Sequence, residues 1–197
     1  MRTISNKNKR STASKLTFTA IFAALICVST FMIKIPVPAT QGYIHFGDIF
    51  VMLSGIFCGP GYGLLAAGIG SGLADLFSGY VIYAPVTFAI KSVGCIAVSY
   101  IFRSLIKRAG NTTAGSRTNS SYQGSSETPR NPIAVIVISG IAFTAILVGG
   151  YYLFEVILYG QAALFEIPMN ALQGGFATAG ACGLYSIFSR IPDLKSR

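Results

Sequence analysis

Charged side chains are scarce in this chain: Asp, Glu, Lys and Arg make up 11% of its 197 residues, against about a quarter in a soluble domain of that size. Together with 52% hydrophobic residues and a mean hydropathy of +0.62, this excludes an ordinary water-soluble globule. Histidine occurs once, at His45, with no His, Cys or Glu at metal-ligand spacing, so a metal centre is not expected. No nucleophile and base stand in a recognisable arrangement, so no catalytic residue is expected and an intramembrane enzyme is the least supported class. A Gly-x-x-x-x-Gly-Lys-Ser/Thr loop is also missing, which excludes ATP hydrolysis by the chain itself. The four cysteines, Cys27, Cys58, Cys95 and Cys182, lie in or beside apolar runs. They read as small buried hydrophobes, not as a disulfide frame. No internal repeat is visible, which weighs against an inverted-repeat transporter.

What the chain does have is long apolar runs. Leu16 to Ile33 and Ile133 to Phe154 carry no charge, and each reaches or approaches the roughly 20 residues that cross a bilayer as a helix. The expectation is an all-α integral membrane protein with six transmembrane helices, at about 15–34, 45–58, 61–79, 82–106, 132–158 and 167–189. The turn between the second and third crossings falls at Gly59-Pro60-Gly61. The first run follows basic residues, as in a signal peptide, but it is too long and lacks a small-residue cleavage site, so it is expected to be retained.

The net charge of +9 is placed by side. Arg2, Lys7, Lys9, Arg10 and Lys15 precede the first crossing; Arg103, Lys107, Arg108, Arg117 and Arg130 flank the loop after the fourth; Arg190, Lys195 and Arg197 follow the sixth. Of the fifteen basic residues, only Lys34 and Lys91 stand elsewhere. That is the positive-inside pattern with both termini cytoplasmic, and it argues for topology, with a lesser lipid-headgroup role, over nucleic acid. The domain plan is a basic cytoplasmic tail (1–14), four crossings (15–108), a flexible cytoplasmic linker (109–131), two crossings (132–190) and a tail (191–197). All of this makes one membrane domain. The linker is polar and aperiodic, and cannot bury enough apolar area to fold.

Ionisable groups at membrane depth are costly and usually mark a ligand or ion path. Asp75 lies about 6 Å below the outer end of the third crossing and Lys91 about 14 Å into the fourth, at 1.5 Å per residue. Helical side chains lean toward the N-terminus, so these two are expected to converge. Glu155 joins them at similar depth, among Tyr151, Tyr152 and Tyr159 at helical spacing. Asn170 and Gln173 stand one turn apart on the sixth crossing, able to donate and accept. Asp48 and Tyr83 complete the candidate lining of a pocket for a small polar, partly planar solute. The same charges can also be read as structural ion pairs, and the tyrosines as an interfacial belt. His45 is either a solute contact or a solvated loop histidine. Ala20 and Ala24 share a face that admits close approach of another helix.

Several motifs now coincide: Ile35-Pro-Val-Pro before Gly42-Tyr-Ile-His-Phe-Gly-Asp48, then Gly59-Pro-Gly-Tyr-Gly63, Gly70-Ser-Gly-Leu-Ala-Asp75-Leu and Tyr83-Ala-Pro-Val-Thr-Phe-Ala-Ile-Lys91. With the alanine pair, they resemble the substrate-binding S components of energy-coupling factor (ECF) vitamin transporters, in the riboflavin-type branch. The likeness covers all six crossings and is most specific from Ala20 to Lys91. It implies a multi-pass protein of the bacterial cell membrane, without a cofactor of its own. Such a subunit binds a water-soluble vitamin or precursor of the riboflavin, pyridoxine-like, hydroxymethylpyrimidine or pantothenate class. It delivers the solute through a T component and two ATP-hydrolysing subunits. By the same resemblance Ala20 and Ala24 contact the T component, the loop of about 36–46 with Gln41, Tyr43 and His45 gates the pocket, and the region of Asn170 touches solute. The linker is longer than the family's usual connection. The alternative from the residues alone is a self-sufficient secondary transporter of a small polar solute.

Overall fold

A computed structural model describes residues 11–36, 43–114, 131–191 and 194. Helix α1 spans Thr12–Met32, and the Ser11 hydroxyl accepts from the Ser14 backbone N–H at 3.2 Å, satisfying one of its free first-turn donors. Strand β1 (Lys34–Pro36) pairs antiparallel with β2 (Tyr43–His45), Lys34 opposite His45 and Pro36 opposite Tyr43. Helix α2 covers Gly47–Phe77 and α3 Ala84–Ala114. Helix α4 (Pro132–Tyr159) starts on an Asn131 cap with proline in its first turn, where the missing N–H is no loss. A 3-10 turn, Gly160–Phe165, leads into α5 (Glu166–Phe188).

The crossings expected at 45–58 and 61–79 form one element, α2, broken at Gly59 (φ 83°, ψ −179°). That backbone is open to glycine and strained for other residues, and Pro60 cannot bond back across it. The break reverses the chain. Ser54 Oγ donates to the Gly63 carbonyl at 3.4 Å, whereas an unbroken helix would hold residues nine apart about 13 Å from each other. Contacts with α1 give the direction of each arm. Thr30 Oγ1 lies 3.3 Å from His45 Nδ1 at one end of α1, and the Lys15 ammonium stands 5.7 Å over the Tyr62 ring at the other. The second arm then returns, and Lys34 Nζ donates to Ser78 Oγ. With α3, α4 and α5 the described residues form six helical legs of alternating direction.

Between helices in lipid there is little hydrophobic drive, because acyl chains are as apolar as leucine; close packing and polar bonds hold the bundle instead. Gly70 shows the closeness: a Cβ there would sit 2.6 Å from the Ala23 carbonyl oxygen of α1. Phe22, Ile26, Met52, Leu53, Val98, Phe102 and Phe143 fill the interior. The end of α5 closes it, with Phe188 5.7 Å from Phe22 and Tyr185 stacked 5.6 Å from Phe57. Outside, Met32, Phe77, Ile141 and Ile157 are each at least 66% exposed, a surface that water would not tolerate and lipid does. Among the described residues, four stretches are long and apolar enough to cross a membrane.

Two boundaries differ from expectation. Helix α3 continues to Ala114, into the segment expected to be linker from 109, because an existing helix extends at little cost per residue. The second leg begins at Gly47, since 43–45 pair as a strand before it. The rest of the linker, residues 1–10 and residues 195–197 lie outside the described residues.

Candidate functional site

Polar groups that the core excludes collect at one end of the bundle. Tyr83, just before α3, and Thr87 and Lys91 on it recur every fourth residue, and all are buried, so one face is polar for two turns. On α5, Glu166, Asn170 and Gln173 share a face and are buried as well. Asp75 near the end of α2, Tyr151 and Glu155 near the end of α4, Tyr80, and His45 of β2 complete the ring. His45, Asp75, Tyr80, Tyr83, Thr87, Tyr151, Glu155, Glu166, Asn170 and Gln173 line a cavity of about 370 Å³, which includes solvent at its mouth.

Beneath this lining lies a buried ion pair. Lys91 Nζ donates to Asp48 Oδ2 at 2.8 Å, and both side chains are fully buried. Gln173 Nε2 donates to the same oxygen at 2.7 Å, while Gln173 Oε1 accepts the His45 backbone N–H at 3.0 Å. A single amide therefore ties β2 and α5 to the pair between α2 and α3. Asp48 sits in the first turn of α2, where the helix dipole also favours a carboxylate. The Lys91 ammonium lies 5.3 Å from the Tyr151 ring centroid, so an aromatic ring that lines the cavity stands beside the charge.

His45 is held as a neutral base. Its Nδ1 accepts the Gly47 N–H at 3.1 Å, which leaves the ring proton on Nε2. It lies on β2, ahead of the membrane-length helices, and burial pushes its pKa down to about 4, against an opposing pull from Asp48. Higher on the wall the Tyr83 hydroxyl donates to Glu155 Oε1 at 3.4 Å, and the Thr87 and Tyr151 hydroxyls bond at 2.9 Å. Glu155 Oε2 and Glu166 Oε1 are buried without a hydrogen-bond partner among the described residues. Buried carboxyl oxygens are costly to leave unmatched, so these two are the open valences of the site. Among the described residues, no group of three His, Cys, Asp or Glu is placed to hold a metal.

The model of the family described as "ECF-type riboflavin transporter, S component" matches residues 10–189. The chain belongs to that family. The family is one of transporter S components, not of enzymes, and with its apolar helices the chain is a membrane protein. Its fold is similar to a solved structure, "Structure and mechanism of the S component of a bacterial ECF transporter", with a TM-score of 0.62 and 20% identity over 91% of this chain and 97% of that one. It is also 43% identical over 75 residues to an uncharacterised protein of Pyrococcus woesei, "Uncharacterized protein in gap 3'region", a match that covers 38% of this chain and 50% of that protein. The chain thus spans about half the length of that relative.

Most of the residues singled out from the sequence of this S-component family member do meet at one site. Asp75, Glu155, Asn170, Tyr151, Gln173, Tyr83 and His45 line the cavity. Three findings correct the reading. Lys91 forms its ion pair with Asp48, not with Asp75, because the reversal at Gly59 lays the first turn of α2 against α3. Lys91 and Asp48 sit behind the lining instead of on it. His45 is 7% exposed, so it is no solvated loop residue. Gln41 lies outside the described residues, and of Tyr43 only the strand pairing is described. Ala20 and Ala24 are exposed, while neighbouring Phe22 and Ile26 turn into the core. Glu166, Thr87 and Tyr80 were missed. For Glu166 and Thr87 a signal existed: Glu166 is one turn before Asn170, and Thr87 lies midway between Tyr83 and Lys91 on a single helical face.

Proposed function

We propose that this chain is the substrate-binding S component of an ECF-type importer. It takes up a water-soluble vitamin or precursor of the riboflavin, pyridoxine-like, hydroxymethylpyrimidine or pantothenate class at the outer end of the bundle. The observation that carries the reading is the cavity itself: a concave, tyrosine-walled site with converging polar groups, the form that small-solute sites take. It lies in a chain whose family is that of S components. In this reading the six helical legs cross the membrane as a multi-pass bundle. The segregated basic residues support cytoplasmic termini. The β1–β2 hairpin, tied through His45 to Gln173, gates the mouth. The chain uses no cofactor and no nucleic acid. A T component and two partner ATPases hydrolyse ATP and drive release, and the exposed Ala20 and Ala24 support docking of the T component on α1.

The test separates binding from transport. Purified chain is screened for bound vitamins by mass spectrometry, and uptake is measured in vesicles with and without ATP and the partner subunits. Ala20→Leu with Ala24→Leu is expected to leave equilibrium binding intact while ATP-dependent uptake fails. Uptake by the chain alone, independent of ATP, would reject the reading in favour of a secondary transporter.

A further inference from the structure

Resting on that reading, we infer that the solute carries a positively charged nitrogen, and that Glu155 and Glu166 hold that nitrogen. Among the described residues, three carboxyl groups line the cavity, Asp75, Glu155 and Glu166, and no Lys or Arg does. The bases nearby are committed elsewhere. Lys91 is bound to Asp48 behind the lining, Lys34 donates to Ser78 and stands 4.6 Å over the Phe31 ring, and His45 is neutral.

Helix dipoles do not supply the missing positive charge. α1, the second arm of α2 and α4 end at this end of the bundle while the first arm of α2, α3 and α5 begin there, so three negative and three positive ends offset each other. The side chains decide the sign, and they are acidic. Glu155 and Glu166 are 2% and 3% exposed, line the cavity, and each keeps one carboxyl oxygen without a hydrogen-bond partner among the described residues. A bound ammonium or protonated ring nitrogen supplies both the donors and the charge that buried carboxylates need. An anionic solute would add a charge of the same sign at close range, whereas a cationic one favours the ionised form of both carboxyls. Tyr80 and Tyr83, in edge contact at 6.3 Å, and Tyr151 offer ring faces that also attract cations.

The full chain, purified in detergent, is incubated with an equimolar mixture of pyridoxamine and thiamine (cationic), riboflavin (neutral) and pantothenate (anionic). Retained solute is identified by mass. A cationic solute is expected to be retained, and its affinity should fall at least tenfold in Glu155→Gln and in Glu166→Gln, with melting temperatures showing that both variants remain folded. Retention of riboflavin or pantothenate in preference to the cations overturns the inference and leaves the S-component reading standing. So does a retained cation whose affinity is unchanged in both folded variants. Retention of nothing from the mixture counts against the S-component reading and removes the inference with it.

Discussion

Replacing Lys91 by Met keeps the length and apolar volume of the side chain and removes its charge. Asp48 Oδ2 then loses the 2.8 Å bond from Lys91 and keeps only the 2.7 Å bond from Gln173, and Oδ1 already has no partner among the described residues. Removing one member of a fully buried pair costs about 3–5 kcal/mol, because the other charge stays behind in a low-dielectric interior. At about 2–4 °C per kcal/mol for a chain of this size, Lys91→Met should lower the melting temperature by roughly 10 °C. Adding Asp48→Asn removes the stranded charge. The new amide oxygen still accepts from Gln173, and its NH2 group is left without an obvious acceptor, a residual cost of about 1–3 kcal/mol. The double variant should therefore recover about 2 kcal/mol of the loss. The assay is thermal unfolding of the purified protein in one detergent, followed by solute titration on each folded variant. Since neither residue lines the cavity, the double variant should also bind solute within a few-fold of wild type. A Lys91→Met protein that melts within about 2 °C of wild type, or a double variant no more stable than the single, would refute the reasoning.

Two further outcomes follow from single positions. Gly70→Ala places a methyl group 2.6 Å from a backbone oxygen of α1 that cannot rotate away, so it should destabilise by about 1–3 kcal/mol; Gly61→Ala, with nothing within 4 Å of its Cβ, is the control, and equal melting points would remove the close-packing argument. His45 has a folded pKa of about 4, below its ordinary value, so the unfolded chain binds the extra proton first: its contribution is fully present above about pH 6.5 and is lost as pH falls toward 4. Between pH 7.5 and 5 that is about 2 kcal/mol, and His45→Asn, which keeps an acceptor near Nδ1, should show a smaller pH-dependent drop in melting temperature; an identical drop would place the sensitivity elsewhere.

Much of this architecture is local in origin and was legible in the residues. Apolar runs of membrane length become helices wherever they stand, and Gly59-Pro60 breaks a helix because glycine takes a positive φ and proline lacks the N–H that would bond back. The carboxyl and tyrosine of α4, the polar face of α5 and the exposed alanines of α1 lie at helical spacing, so their side-by-side placement needed no tertiary information. What the chain order could not decide was how each helix is rotated about its axis, since one residue of register turns a face by about 100°. Two acids, Asp48 and Asp75, were both candidates for Lys91. Only the folded hairpin of α2, which sets its first turn against α3 and beneath Gln173, gave the pair to Asp48 and left Asp75 on the cavity wall. The burial of His45 under a strand pairing, and the arrival of Glu166 opposite Glu155 after a 3-10 turn, depend on the same long-range packing, because they join residues far apart in the chain through contacts that no local spacing encodes.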